Sequence, residues 1–148
     1  MRERLAGLRA YPFLMAAYPA LAMMAANVDQ VRMETVVRPL LLSVLLCALL
    51  YGLLALIIRR PEPVALLTTW WLLLFFTYGH VYSALRGVHV IGESLGRHRY
   101  LAVLWIVLAV GGAVLILRRR EWDRTDRVLT AISLVAIALP LVQLAAFV

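Results

Sequence analysis

Residues Pro39–Ile58 read PLLLSVLLCALLYGLLALII, a run of twenty without one Asp, Glu, Lys or Arg. At 1.5 Å per residue, a helix of that length covers about 30 Å, the thickness of a bilayer's hydrocarbon core. From Leu40 to Ile58 the run is apolar on nearly every side, without the alternation of a barrel strand. In lipid such a segment must be helical, because an open strand would leave its backbone polar groups unpaired. Four more charge-free runs flank it, at 10–28, 63–85, 100–117 and 128–148. The expected fold is therefore an all-α integral membrane protein, a five-transmembrane-helix bundle forming a single membrane domain over 1–148.

Local signals punctuate these runs. Arg59-Arg60-Pro61-Glu62-Pro63 predicts a tight turn, its prolines stopping the second helix. Pro39 suits the first turn of that helix. Asp123, Thr125 and Asp126 offer caps for the fifth. No connection is long enough for a second domain, and no internal repeat is present.

Composition agrees. Of 148 residues 64% are hydrophobic and 16% charged, whereas soluble domains average roughly half apolar and a quarter charged. Disordered, collagen-like and disulfide-rich classes are excluded on the same grounds. The net charge of +7 comes from fifteen basic residues, all arginine, against eight acids. Nucleic-acid binding would cluster them on one face with aromatics between; here they sit in short groups between apolar runs, so no nucleic-acid partner is expected. With the N-terminus inside, the inner face holds Arg2, Arg4, Arg9, Arg59, Arg60, Arg118, Arg119, Arg120, Arg124 and Arg127. The outer face holds Arg32, Arg38, Arg86, Arg97 and Arg99. That bias predicts N-terminus in and C-terminus out, in a multi-pass protein of the cell's inner (plasma) membrane. A cleaved signal peptide is the rival for the first run, with Arg2 to Arg9 as its basic region and Ala20-Leu21-Ala22 as its site. Two prolines and two tyrosines make a poor signal core.

Few residues remain for chemistry. Cys47 is the only cysteine and stands among leucines, as a small hydrophobe would. P-loop, dinucleotide, HExxH, G-x-S-x-G and CxxC patterns are absent, so neither cofactor nor metal nor self-contained catalysis is expected. The richest stretch ends the third run. Tyr78, Tyr82 and Arg86 recur every four residues along one helical face, with His89 next, while His80 points elsewhere. Across a short loop Gly96-Arg97-His98-Arg99-Tyr100 leads into the fourth run at the same depth. One reading of this cluster is an aromatic belt with snorkelling arginines. The other is a recessed basic pocket for a lipid phosphate or similar anion, built from Tyr78, His80, Tyr82, Arg86, Arg97, His98 and Arg99. The nine-residue spacing of His80, His89 and His98 fits no usual metal pattern.

His80 within a membrane run is a functional candidate by position, with Gln143 and Asn27 as expected interhelical partners. Tyr11-Pro12 and Tyr18-Pro19 lie seven apart on one side, and Pro19 should kink the first helix; Pro140 is a kink candidate in the fifth. Thr68, Thr69 and Gly111-Gly112 read as close helix contacts. Trp70, Trp71 and Trp122 read as inner-interface anchors.

With these segments in place, the chain resembles the start of bacterial membrane-bound sulfatase-like hydrolases. The resemblance runs through Tyr11-Pro12-Phe13-Leu14, Asn27, Gln30, Arg38-Pro39-Leu40-Leu41, Ala65-Leu66-Leu67-Thr68 and Phe75-Phe76-Thr77-Tyr78-Gly79-His80-Val81-Tyr82. It continues through Gly96-Arg97-His98-Arg99-Tyr100-Leu101 to Leu139-Pro140-Leu141. In such proteins a multi-helix anchor precedes an extracytoplasmic catalytic domain of alkaline-phosphatase-like fold; lipoteichoic acid synthases and phosphoethanolamine transferases are similar in plan. Their metal ligands and nucleophile lie in that soluble domain, so no catalytic residue carries over. The resemblance implies a non-catalytic membrane region that positions a sulfatase-like or phosphotransferase activity near lipid headgroups, with membrane lipids and that domain as partners. From the residues alone, a small subunit of an electron-transfer or transport complex, and an intramembrane enzyme using His80 or His98 as acid–base group, also remain open.

Overall fold

The computed structural model describes residues 9–30, 32, 34–86, 89–90, 93–94, 98–119 and 121–146. Five helices carry the chain: α1 (Tyr11–Ala26), α2 (Glu34–Ile57), α3 (Pro61–Leu85), α4 (His98–Arg118) and α5 (Asp123–Ala145). Between α3 and α4, β1 (His89–Val90) and β2 (Glu93–Ser94) form a small antiparallel ladder, which the apolar pattern did not announce. The chain divides into two compact units, residues 1–69 with 121–148 and residues 70–120, and α3 contributes to both.

Four helices, α2 to α5, are long and apolar enough to cross a membrane. The five helices expected are present, and these four of them have the length of a span. α1 has 16 residues and is about 24 Å long, short of the hydrocarbon core. Asn27 ends it early: its backbone N–H bonds to Met24 O at 3.0 Å. Its side chain donates to Met23 O at 2.7 Å, satisfying a carbonyl that the helix end leaves open.

The other helices overrun their charge-free runs, because lack of charge measures hydrocarbon thickness while a helix continues into the headgroups. α2 starts at Glu34, so Pro39 lies inside it rather than in its first turn. Glu34 there complements the positive helix start, and the Thr35 hydroxyl donates to Arg32 O. α3 starts at Pro61, so Pro61 and Pro63 belong to its first turn rather than to a loop. Proline is tolerated there because those N–H groups lack intrahelical partners anyway. The N-cap of α5 is Trp122, without a side-chain cap bond. The expected capping by Thr125 or Asp126 does not occur, the Asp123 side chain lies outside the described residues, and Asp126 is instead turned to a tertiary task. α1 and α5 continue through Pro19 and Pro140.

In the unit formed by residues 1–69 and 121–148, α1 packs against both α2 and α5. α2 contributes Val36, Cys47, Tyr51 and Leu54, one face at helical spacing. α5 buries Asp126, Ser133 and Pro140, which recur every seven residues. Every residue from Pro63 to Thr69 is buried. The Thr68 and Thr69 hydroxyls donate to Val64 O and Ala65 O one turn back, which lets polar residues sit in this core. Cys47 is fully buried among apolar neighbours, as expected.

Candidate functional site

Two polar groupings stand out, one in each unit. The first was missed by sequence reasoning. Arg9, just before α1, lies with Nε 3.0 Å from Asp126 Oδ2, and its Nη2 reaches Glu62 Oε1 at 3.4 Å. Tyr11 Oη donates to Asp126 Oδ1 at 3.0 Å. Asp126 is only 3% exposed and Tyr11 fully buried, so a carboxylate is held inside the protein by a guanidinium and a phenol. Burial of a charge is tolerated when it is paired and hydrogen-bonded in this way. These contacts bring the starts of α1, α3 and α5 to one level. Beside them Arg9, Arg127, Thr130 and Leu134 line an open cavity of about 560 Å³. The only sequence signal was an acid just inside an otherwise apolar helix, and that signal reads equally well as a cap.

The second grouping lies in residues 70–120 and contains much of the cluster expected from sequence. His98, the first residue of α4, stacks on Tyr82 with ring centroids 4.3 Å apart and on Tyr78 at 6.3 Å. Tyr78 Oη lies 3.0 Å from His98 Nδ1. The spacing of four thus brings Tyr78 and Tyr82 onto one imidazole. Arg99 donates to Tyr100 Oη at 2.9 Å and covers the Tyr100 ring. Arg86 stands exposed in the turn after α3. Arg97 lies outside the described residues, as do the side chains of the β ladder, His89 included.

His80 does not join them. It is exposed, and its Nδ1 pairs with Phe76 O of its own helix at 3.1 Å. The expected partners Asn27 and Gln143 are otherwise placed: Asn27 caps α1 and Gln143 is exposed. A histidine ring that reaches its own i−4 carbonyl has its polar demand met locally and needs no interhelical partner.

Further along the same α3–α4 seam, tryptophans replace charges. Trp70 Nε1 donates to Leu108 O at 3.0 Å and Trp105 Nε1 to Leu74 O at 2.8 Å. Trp71 Nε1 reaches Ala109 O at 3.5 Å. Trp70 and Trp71 therefore pack the helix pair, nearly three turns into α3. Gly112 makes the first bond possible. A Cβ there would fall on the Trp70 indole, and a side chain four residues after Leu108 would lean back over its carbonyl. Gly111 meets nothing within 4 Å, so only the second glycine of the pair is a close contact.

Among the described residues no group of three or more His, Cys, Asp or Glu is placed to hold a metal. No family model matches the chain, and no curated protein or solved structure matches it either.

Proposed function

We propose that this chain is a membrane anchor that positions an extracytoplasmic sulfatase-like or phosphotransferase activity beside lipid headgroups, oriented N-terminus in and C-terminus out in the inner (plasma) membrane. The supporting observation is the distribution of polar groups. Arg9, Tyr11, Glu62 and Asp126 engage one another, while Tyr78, Tyr82 and His98 gather where α3 ends and α4 begins. Elsewhere each unit exposes hydrocarbon, including Leu45, Leu49 and Leu53 of α2 and Val103, Ile106 and Val107 of α4. A module of this kind rests in lipid and offers a polar, aromatic end to the headgroup layer.

The test is made in the native membrane. The chain is tagged and extracted in mild detergent, and release of sulfate or phosphate from headgroup esters is followed through purification and after deletion. Activity that co-purifies with the chain and leaves the membrane fraction on its deletion supports the anchor. Activity that elutes apart and stays membrane-bound without the chain overturns it.

A second reading, a small subunit of a larger membrane complex, draws on α4, of which Leu101 alone is buried among its described residues. Co-migration at fixed stoichiometry with electron-transfer or transport subunits would select it.

A further inference from the structure

Oxidisable rings meet where α3 ends and α4 begins. Tyr78 lies edge-on to Trp105, with ring centroids 5.4 Å apart, and stacks on His98 at 6.3 Å. Trp105 in turn lines an apolar groove of about 400 Å³ together with Trp71, Leu74, Phe75, Ile106 and Ala109. Phe75 and Ile106 are each 63% exposed, so the groove is open to acyl chains where these helices cross lipid. Phenols and indoles are among the side chains most readily oxidised by one electron, and rings in contact pass an electron without a mediator.

What separates Tyr78 from Trp105 is the fate of the proton. An oxidised phenol is a strong acid, so its oxidation is easy only where a base takes the proton as the electron leaves. Tyr78 Oη lies 3.0 Å from His98 Nδ1, within the reach that proton transfer needs. With the ring proton on Nε2, Nδ1 accepts from the phenol. Tyr82 stacks on the same imidazole at 4.3 Å, and its electron-rich face favours the imidazolium that the transfer creates. The Trp105 N–H instead donates to Leu74 O at 2.8 Å. An amide carbonyl is far too weak a base to take that proton, so an oxidised indole there stays a cation and recovers its electron from Tyr78.

We propose that Tyr78 and His98 form a redox-active pair, connected to the groove by Trp105, that reduces peroxyl radicals of acyl chains. The oxidant must be neutral and soluble in hydrocarbon, since a charged one would lose its hydration on entering the groove. The polar groups of the lining side chains are two indole N–H groups, which already donate to Ala109 O and Leu74 O. In the step, Tyr78 gives one electron through Trp105 to the peroxyl radical. The phenol O–H bond breaks and an N–H bond forms at His98 Nδ1, leaving a tyrosyl radical beside an imidazolium. The reduced peroxyl takes a proton from water and becomes a hydroperoxide. This chemistry needs α3 and α4 in lipid and is independent of any enzyme that the chain anchors.

For the experiment the full chain, carrying ring-deuterated tyrosine, is reconstituted in vesicles of polyunsaturated phosphatidylcholine. A lipid-soluble azo initiator generates peroxyl radicals, and samples frozen at intervals are read by electron paramagnetic resonance beside a chain with ordinary tyrosine. A neutral tyrosyl signal, narrowed by the deuterium, is expected. Tyr78→Phe should abolish it, and Trp105→Phe should slow its appearance. His98→Ala should lose it, and added imidazole should restore it, a recovery that an unfolded chain would not give. Tyr18→Phe and Tyr100→Phe should keep it, although these phenols are 38% and 47% exposed and would be oxidised first if exposure alone decided. The proposal is overturned if the parent chain gives no tyrosyl signal or if the signal survives Tyr78→Phe. A signal of parental size in His98→Ala without imidazole, or no recovery with it, overturns the role of His98 and with it the pair.

Discussion

The two units solve the same problem, polar groups among membrane helices, by opposite chemistry. Where α1 meets α3 and α5, the solution is ionic: Arg9 between Glu62 and Asp126, with Tyr11 on the carboxylate. Along the α3–α4 seam it is neutral: indole N–H groups on backbone carbonyls, and an imidazole between two phenols. An ionic cluster holds by mutual compensation, so losing one member leaves another charge buried and unmatched. A neutral ladder holds by separate bonds, each of which can be lost without stranding a charge. The first should therefore break abruptly and the second gradually.

The largest effect is expected from Asp126→Ala. It leaves the buried Tyr11 hydroxyl without its acceptor and Arg9, 39% exposed, with Glu62 alone, and should cost about 3 kcal/mol, the low end of the range for breaking a buried pair from one side. Asp126→Asn should cost less, since an amide oxygen still accepts from Tyr11. Thermal or denaturant unfolding in detergent measures both; equal stability of Asp126→Ala and the parent chain would erase the distinction between the two units.

A smaller loss is expected on the neutral side from Gly112→Ala. Its methyl displaces Trp70 and uncouples the Leu108 carbonyl, an overpacking effect of about 1–3 kcal/mol. Gly111→Ala is the matched control, expected to be neutral or slightly stabilising because the added methyl meets open space. Comparing the two by the same unfolding measurement sharpens the assignment; equal effects would show that Trp70 does not need the vacant position.

The least effect is expected from single neutral groups. Trp105→Phe keeps the ring but removes one interhelical bond, and such bonds average about 0.6 kcal/mol within membranes. His80→Leu should change stability by about 0.5 kcal/mol or less, because the ring is exposed and bonded within its own helix. A large loss in either variant would mean that the seam is also cooperative.

Helix number and position were legible because charge avoidance is enforced residue by residue in lipid. Helix ends were not, because Glu34, Arg38 and Glu62 are compatible with helix once it leaves the hydrocarbon. The shortness of α1 came from Asn27, whose side chain acts on Met23 O in a way that the charge-free run could not reveal. Tyr78 and Tyr82 were readable as one face, and His98 followed from the short connection between α3 and α4. The Arg9–Asp126 contact was not readable, since it joins opposite ends of the chain and nothing local requires it. Gly111-Gly112 signalled a close approach, but not that one glycine alone serves it or that Trp70 occupies the space.

The Tyr11–Asp126 bond also sets an order of events in synthesis. Tyr11 is made 115 residues before its acceptor, an interval of roughly ten seconds at ordinary elongation rates. Through that time α1 has emerged but lacks its α5 neighbour, and Arg9 must be served by water or headgroups. The fifth helix to insert is therefore the one that fixes the first. A nascent chain arrested before α5 should leave α1 open to protease, and release of the arrest should close it.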